Sequence, residues 1–197
     1  MASKLDVFNR ALAIMGKGGI SDPDDDASPQ AIALNQAAAE VLESMAVLAH
    51  WNYCKDTATL TEDADAGDHE RWGYVYNFPP NEPIKLIRLN GLRNSSMRTI
   101  WEVEGRHVLT DESPASIEYL RGDRARDYGL MPPAFREAVA YALAEAVGDI
   151  LGISEDKMTR IERRSRYSLA RAKFQDASEG TPPDIWSNDL IDSRRVS

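Results

Sequence analysis

The chain has 197 residues, enough for one domain with a sizeable core or for a domain that carries an insertion. With 43% hydrophobic and 28% charged residues its composition is that of a folded globular protein, and no apolar run approaches membrane-spanning length. Its one cysteine, Cys54, excludes an internal disulfide framework and a cysteine-built zinc cage, and the net charge of −9 disfavours sequence-specific duplex binding.

The N-terminal stretch lacks the apolar core of a secretory signal and instead reads directly as a helix over residues 3–15. Ser3 is placed to cap it, and Leu5, Phe8, Leu12 and Met15 recur at helical spacing. Gly16, Gly18 and Gly19 stop it. A polar loop, Ser21-Asp-Pro-Asp-Asp-Asp-Ala, leads to Ser28-Pro29, an N-cap followed by proline at the first helical position. Ile32, Leu34, Ala38, Val41, Leu42, Met45 and Leu48 then predict a second helix to about His50, and the short loop predicts an antiparallel pair.

After Trp51 the period changes. Residues 57–60, 72–78 and 84–89 are short and rich in β-branched, aliphatic or aromatic side chains, with Pro79, Pro80 and Pro83 between them. Residues 99–104 and 106–110 flank Gly105 as a hairpin, and 116–121 adds a last strand. Helix resumes at Pro132-Pro133, with Phe135, Val139, Leu143, Ala146, Val147, Ile150 and Leu151 at spacings of 3 and 4 and a stop at Gly152. Ser154 opens a fourth helix with Glu155 and Asp156 in its first turn. Its apolar stripe (Met158, Ile161, Ser165, Leu169, Ala172) is narrow, and the remaining faces carry Lys157, Arg160, Arg163, Arg164, Arg166, Arg171 and Lys173.

These elements predict a mainly helical α+β protein: a four-helix bundle with an inserted small antiparallel β-sheet and an extended C-terminal arm. The bundle is built from helical hairpins over residues 1–55 and 123–178, the insert spans 56–122, and the arm spans 179–197.

The residues that carry chemistry are sparse. His50, His69 and His107 have no metal-binding spacing, although His69 with Asp65 and Asp68 could supply a set of imidazole and carboxylate ligands. The Asp22–Asp26 run lacks the glycine and bidentate glutamate of an EF-hand. No GxSxG or phosphate-binding glycine loop is present, and a Cys54–His50 pair would require the second helix to run past Trp51. The expectation is no catalytic site, no metal and no cofactor.

Charge and apolarity point elsewhere. Residues 20–70 hold twelve acids against the single base Lys55, whereas the fourth helix is arginine-rich. Arg160, Arg163, Arg164 and Arg171 are therefore expected to meet acidic surface, in the same chain or in a neighbouring copy. The arm carries Trp186, Leu190 and Ile191, with Arg194 and Arg195, in a stretch with no helical or strand period. Trp and Arg are the residue types enriched in interface hot spots. The 16 residues from Pro182 to Ser197, fully extended, would reach roughly 50 Å.

Four stretches, in this order, resemble the tail tubular protein A family, the head-to-tail adaptors of short-tailed bacteriophages. Trp51-Asn-Tyr-Cys-Lys-Asp-Thr-Ala-Thr-Leu is similar to the family's exit from its second helix. Tyr74-Val-Tyr-Asn-Phe-Pro-Pro with Ile84-Lys-Leu-Ile-Arg-Leu resembles its "Y-x-Y-x-L-P … L-R-L" segment, with Phe78 in place of the usual leucine. Met131-Pro-Pro-Ala-Phe-Arg-Glu-Ala-Val resembles the entry to its third helix, and Leu169-Ala-Arg-Ala-Lys-Phe-Gln-Asp-Ala-Ser-Glu its final helix end.

The resemblance implies a non-enzymatic virion component of the neck, assembled in the host cytoplasm and not in a membrane. It implies a twelve-fold ring of copies beneath the portal protein, with a tail nozzle or tail-side connector protein below it. DNA would pass through the channel without sequence recognition. A C-terminal segment that engages the portal is also implied, which assigns that contact to Trp186, Leu190, Ile191, Arg194 and Arg195. Two other classes stay open on the residues alone: a metal-dependent hydrolase using the acidic loops, and a helical DNA-binding regulator using the arginine-rich helix.

Overall fold

The computed structural model describes residues 3–24, 27–67, 69–81, 83–94 and 98–179. The predicted arm, with Trp186, Leu190, Ile191, Arg194 and Arg195, lies outside the described residues apart from Glu179.

Helix α1 (Lys4–Met15) begins with a reciprocal capping box: Ser3 Oγ accepts from the Asp6 amide while the Asp6 carboxylate accepts from the Ser3 amide. It ends on Gly16 in the left-handed region (φ 68°), whose amide and that of Lys17 close the last carbonyls. Helix α2 (Pro29–Val47) starts as read, with Ser28 Oγ accepting from the Ala31 amide. Strands β1 (Lys55–Thr59), β2 (Tyr74–Asn77), β3 (Pro83–Leu89), β4 (Trp101–Glu104), β5 (His107–Thr110) and β6 (Ser116–Arg121) follow, the β4–β5 turn resting on Gly105 at φ 59°. A single helical turn, α3 (Gly122–Ala125), leads to α4 (Pro133–Val147) and the long α5 (Glu155–Glu179).

Helix α4 is the hub. Helices α1, α2 and α5 each pack against it, whereas α1 touches α2 only lightly, so the two predicted hairpin partners bury their apolar faces on α4 more than on each other. The spacing on α4 accounts for this, since Phe135, Ala138, Val139, Ala140, Leu143, Ala144 and Val147 are buried around most of its circumference. A helix apolar on most sides needs neighbours on most sides.

The expectation of one inserted sheet is corrected to two. Strands β1-β6-β3 form one antiparallel three-stranded sheet and β2-β5-β4 another. They share an apolar cluster in which Tyr76 and Val108 from the second sheet meet Leu89, Ile117 and Tyr119 from the first. Alternation along β6 divides its side chains between two cores: Ile117 and Tyr119 join this cluster, while Leu120 joins the helical core. The first sheet is thus a layer between the helices and the second sheet.

The regular part of the predicted third helix ends at Val147, and one further turn, in which the Leu151 amide donates to the Val147 carbonyl at 3.0 Å, carries the chain to the predicted glycine stop at Gly152. A Cβ at Gly148 would occupy the space now held by the Met158 sulfur and methyl, so a larger residue there would oblige that side chain to move. The Ile153 amide donates to the Gly148 carbonyl and Gly152 adopts φ 67°, closing the turn.

Candidate functional site

The helical and stranded parts join at a cluster of aromatic rings. Trp51 is fully buried, its Nε1 donating to the Met45 carbonyl at 2.9 Å. Its ring meets Phe135 edge-on at 4.6 Å between centroids, and Tyr53 approaches Phe135 at 5.2 Å. Helix α5 is tied to the same place: the Asn52 amide donates to Asp176 Oδ1 at 2.8 Å, and Asn52 Nδ2 donates to the Asp176 carbonyl at 2.6 Å. Burial raises the Asp176 carboxyl above the ordinary carboxylate range, partly offset by the hydrogen bond from Asn52.

The four arginines singled out on α5 are all exposed. Arg160, Arg163 and Arg164 form no ion pair with any described residue. The expected pairing with the acidic first half of the same chain therefore does not occur for them among the described residues. Arg164 and Arg171 line a groove over α4 whose other wall is α1, together with Arg10, Glu137 and Tyr141. There Arg10 grips Glu137 through two bonds, at 2.9 and 2.6 Å. The Arg10 guanidinium holds the Glu137 carboxyl below its usual range against the opposing effect of burial, and the charge of Arg171 adds to the lowering.

Sequence reasoning overlooked two side chains on this helix. Tyr167 and Phe174 are 71% and 74% exposed. They lie seven residues apart, so they share a face with Arg160, Arg163, Arg164 and Arg171 at spacings of 3, 4 and 7. The signal was present, because neither residue falls on the stripe defined by Met158, Ile161 and Ala172. It was masked by the surrounding arginines. Sequence reasoning also missed Ser168, buried on α5 with its hydroxyl donating to the Ser165 carbonyl at 2.9 Å.

On another side of α4 lies a second groove, between α2 and α4, floored by Ala33, Ala37, Ala142 and Ala146 and edged by Glu40, Glu145 and Ile150. Glu40 and Glu145 form no ion pair with any described residue.

The alternative sites are accounted for locally. His69 Nδ1 accepts from the Arg71 and Trp72 amides while Nε2 lies 3.4 Å from Glu104, so both ring nitrogens are engaged. Asp68, its proposed co-ligand, lies outside the described residues. His107 pairs with Asp63 at 3.0 Å. In the acidic loop Asp24 pairs with Lys4, and Asp22 accepts from the Asp24 amide, with Asp25 and Asp26 outside the described residues. Among the described residues no group of three His, Cys, Asp or Glu side chains converges on a point that would hold a metal ion. Cys54 is buried and its thiol faces the Trp51 carbonyl at 3.6 Å, whereas His50 faces Arg93, so the two do not pair. No described helix is long and apolar enough to cross a membrane.

No protein-family model matches the chain, and no curated protein matches it.

Proposed function

We propose that this chain is a head-to-tail adaptor, a non-enzymatic component of a phage neck. In this reading copies form a ring beneath the portal protein, extend the DNA channel, and present their far side to a tail nozzle or tail-side connector. The four long helices act as one bundle against which the two sheets are braced. The arm carrying Trp186, Leu190, Ile191, Arg194 and Arg195 engages the portal. No cofactor is required, and DNA passes through without sequence recognition.

The observation that carries the reading is where the family-like stretches fall in the fold. Trp51 and Tyr53 from the first and Phe135 from the third form the aromatic junction between helices and sheets. The second supplies β2 and β3, whose Tyr76 and Leu89 sit in the layer between the sheets. The fourth supplies the end of α5, where Asp176 is bonded to Asn52 of the first. The first, third and fourth stretches thus converge on one junction, and the second lies in the layer between the sheets, so all four fall at structural joints of the fold.

The test is co-sedimentation with the portal ring encoded in the same genome, full-length chain beside a truncation ending at Gly180. Binding by the full-length chain alone supports both the role and the arm's contact. Binding by both keeps the role and removes the arm from the portal contact. Failure of both overturns the reading.

A further inference from the structure

Resting on the adaptor reading, which sets copies side by side, we propose which surfaces meet: the exposed stripe of α5 docks into the α2–α4 groove of the next copy. The stripe consists of Arg160, Arg163, Arg164, Tyr167, Arg171 and Phe174, one continuous face at spacings of 3, 4 and 7. Its two rings are 71% and 74% exposed, an expensive display of aromatic surface for a helix that faces only water. Its central cations, Arg160, Arg163 and Arg164, have no ion-pair partner among the described residues.

The groove offers what the stripe lacks. Ala33, Ala37 and Ala142 leave room for a ring to lie close to the backbone, Ile150 stands 71% exposed at one end, and Glu40 and Glu145 have no ion-pair partner among the described residues. Large aromatic groups between cations face small apolar groups between anions, so size and charge are complementary together.

The two surfaces cannot satisfy each other within one chain. Pro133, Ala134, Glu137 and Tyr141 of α4 face the α5 side, whereas Ala142, Glu145 and Ala146 face the groove, and the centres of these sets lie about a third of a turn apart around the helix. A second copy is therefore the occupant that the charge complementarity selects. Because the two surfaces differ, the contact is head-to-tail, the class that gives a ring when its rotation closes and a filament when it does not.

The experiment uses the full chain, free and bound to portal rings, with self-association read by sedimentation velocity. Reversing the stripe (Arg160→Glu, Arg163→Glu, Arg164→Glu) is expected to abolish self-association, as is reversing the groove (Glu40→Arg, Glu145→Arg). Mixing the two variants restores it, because each variant's altered surface then faces a complementary one. All five side chains are exposed, and unchanged far-ultraviolet circular dichroism and melting temperature would establish that folding is intact. In parallel, the pair Ala37→Cys and Tyr167→Cys on one chain should give a ladder of disulfide-linked oligomers on mild oxidation, while buried Cys54 stays reduced.

Failure of the mixture to reassociate, or absence of the ladder both free and on the portal, overturns the proposal. So does a stripe whose reversal abolishes duplex DNA binding while self-association persists. If the chain binds portal rings without a ladder, this interface fails and the adaptor reading stands. If a ladder forms without portal binding, the interface stands and the adaptor reading fails.

Discussion

Burial pushes the Cys54 thiol up to about 12, with the Asp176 carboxylate adding to the effect. The thiolate is the nucleophile, so the native protein should react negligibly with a thiol reagent at pH 8 and react fully once unfolded. Unchanged kinetics on denaturation would contradict the burial. Because the folded state resists deprotonation, stability falls as pH rises from the free thiol's 9.0 toward about 12. Tyr128, raised to about 12 by burial, and Tyr53, raised further, act in the same direction. Asp176 is raised in the acid range, so its favourable contribution exists at low pH and is lost as the carboxyl ionises. At pH 7 the buried charge is a standing cost. Asp176→Asn keeps an oxygen for the Asn52 amide and should melt no lower than the wild type at pH 7, whereas Asp176→Ala should melt lower. Thermal melts of the two variants decide it. These environments were only half legible in the sequence. Burial is the default for a lone cysteine without a partner, but nothing in the spacing of Asn52 and Asp176 announces a contact across 124 positions.

At the scale of elements, the helix starts were readable because caps are local chemistry: Ser3 and Ser28 each accept from an amide three residues on. The stop at Gly152 was readable for the same reason, since glycine takes the left-handed conformation that closes the last turn. The close approach of Met158 to Gly148 was not, because it is a tertiary contact. Gly148→Ala should therefore destabilise the protein despite alanine's better helix propensity, by about 1–3 kcal/mol as overpacking in a filled site does. The melting temperature of Gly148→Ala, and its recovery on adding Met158→Ala, checks this; a stabilised single variant would contradict it. The strands were located well and their partnership was not. Period-two alternation identifies which residues turn inward, but Tyr76 and Ile117 would look alike on one sheet or on two facing sheets. The arginine face of α5 was legible from composition alone, while Tyr167 and Phe174 became meaningful only once the buried side of the helix was known.

At the scale of the whole molecule, charge is sorted by region. The cations of α5 lie along one side of the helical part, while the α2–α4 groove and the loop at residues 62–70 are acidic. In the proposed docking the central α5 arginines, exposed and with no ion-pair partner among the described residues, meet the acidic edge of the groove. Pairs of this kind weaken with salt, so assembly driven by them should decline between low and high ionic strength, and sedimentation across a salt series would reveal it. Whether the chain is an adaptor is decided by the mass of the portal ring after saturation with this protein, by native mass spectrometry. An adaptor predicts a discrete gain of one 21.9 kDa chain for each portal subunit, reached cooperatively. A portal ring that keeps its own mass at saturating protein would contradict the adaptor account.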